Sequence, residues 1–237
     1  MVIYMIDSYV SIDLETTGLQ PKTDKIIEIG AVKVCRCEVT DTFQTFVNPG
    51  RQLEERVMEL THIRQEDVDN APHIEEVLTQ LLVFLEDLPL VGHRILFDYA
   101  FLKKAATNAK KPFDKQGIDT LRIARRFLPQ LEHRTLEYLC SYYRIPHQAH
   151  RAYEDARATS RLYHILAEQF YDQETELFTP KALHYAVKRD TPASKLQKQR
   201  LYELMEKHKI VINFDMDTIT RSEASRYTDK ILAKYGR

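Results

Sequence analysis

A mixed α/β sheet covered by helices on both faces is the fold class that this chain of 237 residues predicts. Three observations predict it: three strand-like segments follow one another near the N-terminus, short strands then alternate with helices, and 43% hydrophobic composition supplies one good-sized core. A small helical unit is expected at the C-terminal end.

Residues 9–14, 26–37 and 42–47 are rich in strand formers, with Gly18, Pro21, Asn48, Pro49 and Gly50 marking the breaks, so they read as an N-terminal meander. Residues 73–88 place Ile74, Val77, Leu78, Leu81, Phe84, Leu85 and Leu88 at a 3.6-residue period, which predicts a packing helix entered through Asn70 and Pro72. A short strand at 90–92, a helix at 97–108, a strand at Ile118 running into a helix ending near Phe127, a helix at 135–143 and a longer one at 152–170 follow. The pattern loosens near residue 171. Beyond it, Leu201, Leu204 and Met205 share a helix face, and Thr220 with Glu223 has the spacing of a capping box opening a helix that carries Ala224, Tyr227, Ile231 and Leu232. The expected organisation is a main domain over 1–172, a connector over 173–190 and a helical unit over 191–237. That last unit lies near the lower limit for independent folding, which favours docking on the main core.

The net charge of −1 hides an asymmetry: residues 1–100 carry 8 Lys+Arg against 18 Asp+Glu, and residues 101–237 carry 26 against 17. Such a layout suits carboxylates gathered around cations beside Lys and Arg that meet a polyanion, though solvated charged faces give the same count. No apolar run approaches the roughly 20 residues of a membrane span, and the first ten residues lack the form of a secretion signal. A cytoplasmic protein is expected. Three cysteines form no disulfide framework; Cys35 and Cys37, two apart on an expected strand, would share a face as structural residues.

Chemistry enters at VSIDLETTGL, where Asp13 and Glu15 interrupt a strand. Residues two apart on a strand project to one face, so two carboxylates lie side by side. Unpaired they would repel and resist burial, and a hard divalent cation resolves that conflict. Asp98 falls in the first turn of an expected helix, where the helix dipole alone would also favour an acid. Asp155 sits close to the stripe of Ala152, Ala156 and Thr159, facing the protein, and His150 lies at or just before the same helix.

The ordered set D-x-E, F-D and H-x₄-D, within IDLETTGL, KIIEIGAVKV, GHRILFDYAFL, IDTLRIARRFLP, RTLEYLCSYYRI and HRAYEDARAT, resembles the DEDDh group of 3′→5′ exonucleases on the ribonuclease H-like fold. The resemblance covers roughly residues 8–170. A sister group carries tyrosine four residues before the last acid; Arg151 stands there, so the histidine type matches. The resemblance implies a phosphodiesterase using two Mg²⁺ or Mn²⁺ ions about 4 Å apart, with Asp13, Glu15, Asp98 and Asp155 as ligands and His150 as general base. It assigns Thr16 and the Leu14 backbone to the terminal nucleotide and Phe97 to a base. Two positions depart from the family pattern: His62, which would stack on a base or narrow the site, and Arg94, which would contact phosphate. The implied activity is 3′→5′ removal of nucleotides from single-stranded or frayed DNA, with a DNA polymerase as a conceivable partner. The alternatives are an RNA-trimming exoribonuclease and a catalytically inactive nucleic-acid-binding or polymerase-partner module. Oligomeric state is left open.

Overall fold

The apolar alternation of the first strand decides where everything else packs. In the computed structural model, which describes residues 6–211 and 214–236, β1 (Tyr9–Thr16) sends Val10, Ile12 and Leu14 into one core, while Tyr9 enters another. It pairs antiparallel with β2 (Ile26–Cys35), which pairs antiparallel with β3 (Glu38–Phe46). On its other side β1 runs parallel to β4 (Leu90–Gly92), and β4 runs parallel to β5 (Gln116–Asp119). Strand β6 (Lys181–Ala182) pairs antiparallel with β5, giving the order β3-β2-β1-β4-β5-β6.

The helices are α1 (Glu55–Thr61), α2 (Gln65–Asp69), α3 (Ile74–Leu85), α4 (Leu96–Asn108), α5 (Thr120–Phe127), α6 (Leu136–Tyr143), α7 (Ala152–Phe170), α8 (Lys195–Lys207) and α9 (Arg221–Tyr235). Leu78, Leu81 and Leu85 of α3 and Tyr99 and Leu102 of α4 cover the Val10–Ile12–Leu14 side. Ile123 of α5, Leu139 of α6 and Leu162, Tyr163 and Leu166 of α7 cover the other, with Tyr9, Val32 and Val34. Helices α1 and α2 bury Val57 and Val68 against Ile27. Leu201 and Met205 of α8 and Ala224 and Ile231 of α9 form a separate small cluster.

The meander, the alternation of strand and helix, and the two-sided coverage match the expectation. Several boundaries differ for physical reasons. Strand β1 runs on to Thr16, so Asp13 and Glu15 stand inside it. Strand β2 ends at Cys35 because Arg36 and Cys37 both adopt left-handed φ, 55° and 65°, and make a two-residue hairpin turn into β3. Cys37 therefore sits in the turn and does not share a strand face with Cys35, contrary to the expectation. Helices α1 and α2 escaped the periodicity, being at most two turns long. The helix expected to reach residue 88 stops at Leu85, where Glu86 takes φ 44°. The 173–190 stretch contributes β6 to the sheet edge. Thr220 and Glu223 do form the capping box of α9.

One glycine sets the placement of α7. A Cβ on Gly30 would lie 2.1 Å from the Ala152 carbonyl carbon and from the Tyr153 nitrogen, so the first turn of α7 rests directly on the β2 backbone. Gly30 is also the cross-strand partner of Asp13. We expect Gly30→Ala to displace α7 and to destabilise the fold by about 3 kcal/mol or more, the upper end of overpacking, read as a lowered midpoint in thermal denaturation.

Candidate active site

Asp13 and Glu15 lie on the β1 face that α7 covers, where Ser11 Oγ donates to the Ala156 carbonyl of that helix at 2.7 Å. A register shift between Glu15 and Thr16 pairs Glu15 with Glu28 and Thr16 with Ile26, which turns the strand end toward the cleft. Strands β1 and β4 are parallel, and their carboxyl ends lead into Asp13–Thr16 and, through a tight turn, into α4. This is the end of a parallel sheet where α/β proteins bind ligands. Asp98, in the first turn of α4, is buried and accepts the Leu14 N–H at 3.1 Å through Oδ1. That N–H is therefore spent on orienting an acid, and a substrate contact by Leu14 would fall to its remaining atoms.

Asp155, one turn into α7, offers Oδ1 to His147 Nε2 and Oδ2 to the backbone N–H of His150, the latter at 3.2 Å. His150 adopts a left-handed φ of 63°, which bends the chain just ahead of α7. Ligand atoms of Glu15, His150 and Asp155 all fall within 4.8 Å of one another. Asp13 joins them electrostatically: burial first, then the charges of Asp98, Asp155, Glu15 and Glu28, raise its carboxyl well above the ordinary range. Burial, followed by Asp155, Glu28 and Asp98, pushes Glu15 up to about 8. Burial likewise lifts Asp98 to about 8, against the hydrogen bonds it receives from its own backbone and from Leu14. All four sequence-singled acids and His150 thus belong to one cluster. Buried like charges that raise one another are the donor chemistry that hard divalent cations satisfy, so the residues present fit such ions.

Of the other residues singled out, Thr16 donates its hydroxyl to the Gly18 carbonyl at 2.7 Å. Phe97 packs on Phe101 with centroids 5.0 Å apart, and the exposed Arg94 guanidinium lies 5.8 Å from the Phe97 ring centre. His62 caps the C-terminus of α1 with a left-handed φ of 56° and is exposed.

Two residues that frame the cluster were not singled out. Glu28 is fully buried opposite Glu15 and accepts from Arg151 Nη2 at 3.1 Å and from the Ala152 N–H at 3.2 Å, so it anchors the start of α7. Its signal was present, an acid inside the apolar strand IIEIGAV. His147 left no such signal, since only the folded loop brings it to Asp155; that bond, with Cys140 adding to it, raises its imidazole to about 10.

A family model described as an exonuclease, RNase_T, matches residues 10–163. The chain is 40% identical over 157 residues to a PolC-type DNA polymerase III of Clostridium perfringens, covering 66% of this chain and 11% of that protein. It is 37% identical over 166 residues to the PolC-type enzyme of Caldanaerobacter subterraneus, covering 69% and 12%. The chain therefore spans little more than a tenth of the length of these relatives. Among solved structures, exonuclease X in complex with 5′ overhanging duplex DNA superposes with a TM-score of 0.58 at 23% identity, over 72% of this chain and 99% of that one. The nuclease domain of 3′hExo, a DEDDh family member bound to rAMP, does so with 0.60 at 22%, over 75% and 97%. These two share the fold.

Glu15 and Asp98 hold their protons up to about 8, whereas the unfolded chain releases them near the ordinary 4.5 and 3.8. His147, raised from 6.5 to about 10, likewise binds its proton more tightly when folded. The metal-free fold therefore binds more protons than the unfolded chain, and its stability falls as pH rises through this window. Thermal melts in EDTA should show a midpoint that drops from pH 5 to pH 8.5, and Mn²⁺ should recover it at the alkaline end.

Proposed function

Because the chain belongs to the DEDDh type of 3′→5′ exonuclease, we propose that it hydrolyses the last phosphodiester of single-stranded or frayed DNA, using Asp13, Glu15, Asp98 and Asp155 to hold two Mg²⁺ or Mn²⁺ ions. The observation that carries this reading is the convergence of Glu15, His150 and Asp155 within 4.8 Å beside Asp13 and Asp98. When bound, divalent cations supply positive charge for the phosphate and acidify a water. His150 accepts the proton of the attacking water, whose oxygen bonds to phosphorus as the bond to the 3′-oxygen of the shortened strand breaks. A nucleoside 5′-monophosphate leaves, and the strand regains a 3′-hydroxyl.

The remaining residues seat the strand. Phe97 presents a ring face to a base, as stacking platforms for single strands do. Arg94, exposed beside that ring, meets a phosphate. His62, exposed at the end of α1, stacks on a base or narrows the site, and the Thr16 hydroxyl, which donates to the Gly18 carbonyl, offers its oxygen as an acceptor to the terminal sugar. Glu28, through Arg151 and Ala152, keeps His150 and Asp155 at the distance the chemistry requires. The likeness to PolC-type polymerases supports DNA as substrate and a polymerase as partner.

Incubation with 3′- and 5′-labelled single strands of DNA and RNA, with Mg²⁺, Mn²⁺ or EDTA, tests the reading. The expected outcome is loss from the 3′ end only, faster on DNA, abolished by EDTA and by Asp13→Ala. Faster loss from RNA would make the chain an exoribonuclease, and equal loss from the Asp13→Ala protein would refute catalysis at this site. His150→Ala should lower kcat by about 10² to 10⁴-fold, the contribution of a general base, with KM little changed; a matching loss of binding would make His150 a structural residue.

A further inference from the structure

Helix α9 lies outside the family match, yet one of its faces reaches the rim of the cleft. Glu223, Arg226, Tyr227 and Lys230 share that face by their three- and four-residue spacing. Glu223 and Arg226 meet the loop of residues 17–25, which leaves β1 directly after Thr16. Its inner brace is Asp24, a buried carboxylate whose Oδ2 accepts the Gln20 N–H at 2.8 Å. A Cβ on Gly18 would lie 2.6 Å from that Oδ2, so the carboxylate rests on the same turn that holds Thr16. The other oxygen, Oδ1, receives Arg226, which also reaches the buried hydroxyl of Thr23.

Neighbouring contacts extend the brace. Glu223, buried, takes Lys25 from the end of the loop at 3.1 Å and also takes Arg51. Lys230 pairs at 3.1 Å with Glu54, the N-cap of α1, and α1 ends at His62. Around Arg226 the space between Thr23, Asp24 and Glu54 is about 20 Å³, room for about one water, while beyond Glu223 a cavity of about 350 Å³ opens beside Lys25, Arg51 and Tyr227, so the close packing is local to Arg226. Removing Arg226 would leave Asp24 buried and without its ion-pair partner, a state that a loop relieves by moving.

We infer that Arg226 is a positioning residue: through Asp24 it holds the 17–25 loop, and with it Thr16, in the form that seats the terminal nucleotide, so that the C-terminal unit sets substrate affinity. The inference rests on the exonuclease reading and adds to it a residue some 200 positions distant from the cleft loop.

The full-length protein with Arg226→Ala, Arg226→Lys and Asp24→Asn tests it on 3′-labelled single-stranded DNA. Arg226→Ala should raise KM about tenfold with kcat within about threefold of wild type, the signature of lost binding common to ground and transition states, and Arg226→Lys should restore part of the loss. Asp24→Asn keeps an acceptor for Gln20 and removes the charge, so adding it to Arg226→Ala should cost less than the two separate effects combined. Trypsin should cut after the exposed Lys22 faster in Arg226→Ala than in wild type, with a DNA 3′ end slowing the cut. If Arg226→Ala does not fold, Arg226→Lys and Asp24→Asn carry the same comparison. A wild-type KM in the variants, a fall in kcat at unchanged KM, or equal trypsin rates at Lys22 would overturn the inference. A wild-type protein that releases no 3′ nucleotide would overturn the exonuclease reading and this one with it, whereas an active wild type with unaffected variants overturns this one alone.

Discussion

The contact on which the site depends is the seating of α7 on the bare backbone of β2 at Gly30. Asp13 faces Gly30 across the strand pair, so the helix that rests there delivers Asp155 and His150 to the face that carries Asp13 and Glu15. Glu28, one pleat along, accepts the first N–H of α7 and the Arg151 guanidinium, which fixes the helix along its axis as well as in height. A glycine and an acid two residues apart on one strand thereby define where a helix more than 120 residues later must begin.

This geometry forces carboxylates together against their own repulsion. Asp13, Glu15 and Asp98 all have raised carboxyls, with burial as the leading cause and the neighbouring acids as contributors in each case. The apolar packing of α3 and α4 on one side and α5, α6 and α7 on the other supplies the stability that such a cluster removes. His147 and Arg151 offset part of the negative charge, each through a neighbouring carboxylate, Asp155 and Glu28 respectively.

The C-terminal helices add a second level of constraint. Their own core is small, built on Leu201, Met205, Ala224 and Ile231, and their attachment to the main domain includes ion pairs made by buried or half-buried side chains: Arg226 with Asp24, Glu223 with Arg51 and Lys25, and Lys104 with Asp190 in the segment leading to α8. The charge asymmetry between the two halves of the chain has a partial structural account here, since acids of residues 1–100 are met by bases from the later part, as Asp24 is by Arg226 and Glu54 by Lys230.

Local order along the chain determined the class of fold, the meander, the helices longer than two turns, the capping box at Thr220 and Glu223, and the four acids with His150. The elements and the capping box are written in neighbours two, three or four residues apart, the range over which strand and helix periods act, whereas the acids and His150 were legible through the order of D-x-E, F-D and H-x₄-D along the chain and its resemblance to the DEDDh group. What the tertiary structure decided lies beyond that range. The hairpin turn at Arg36 and Cys37 has none of the residues that usually signal left-handed backbone, so strand pairing imposes it. Glu28 stood out as an acid inside an apolar strand, but only the placing of α7 above it gave that acid a partner, and His147 carried no pattern at all before the loop ahead of α7 closed on Asp155. Asp24 and Arg226 stand about 200 residues apart, and only the packing of α9 against the cleft loop makes them partners. Pairs of that kind are created by long-range contact, and no local period records them.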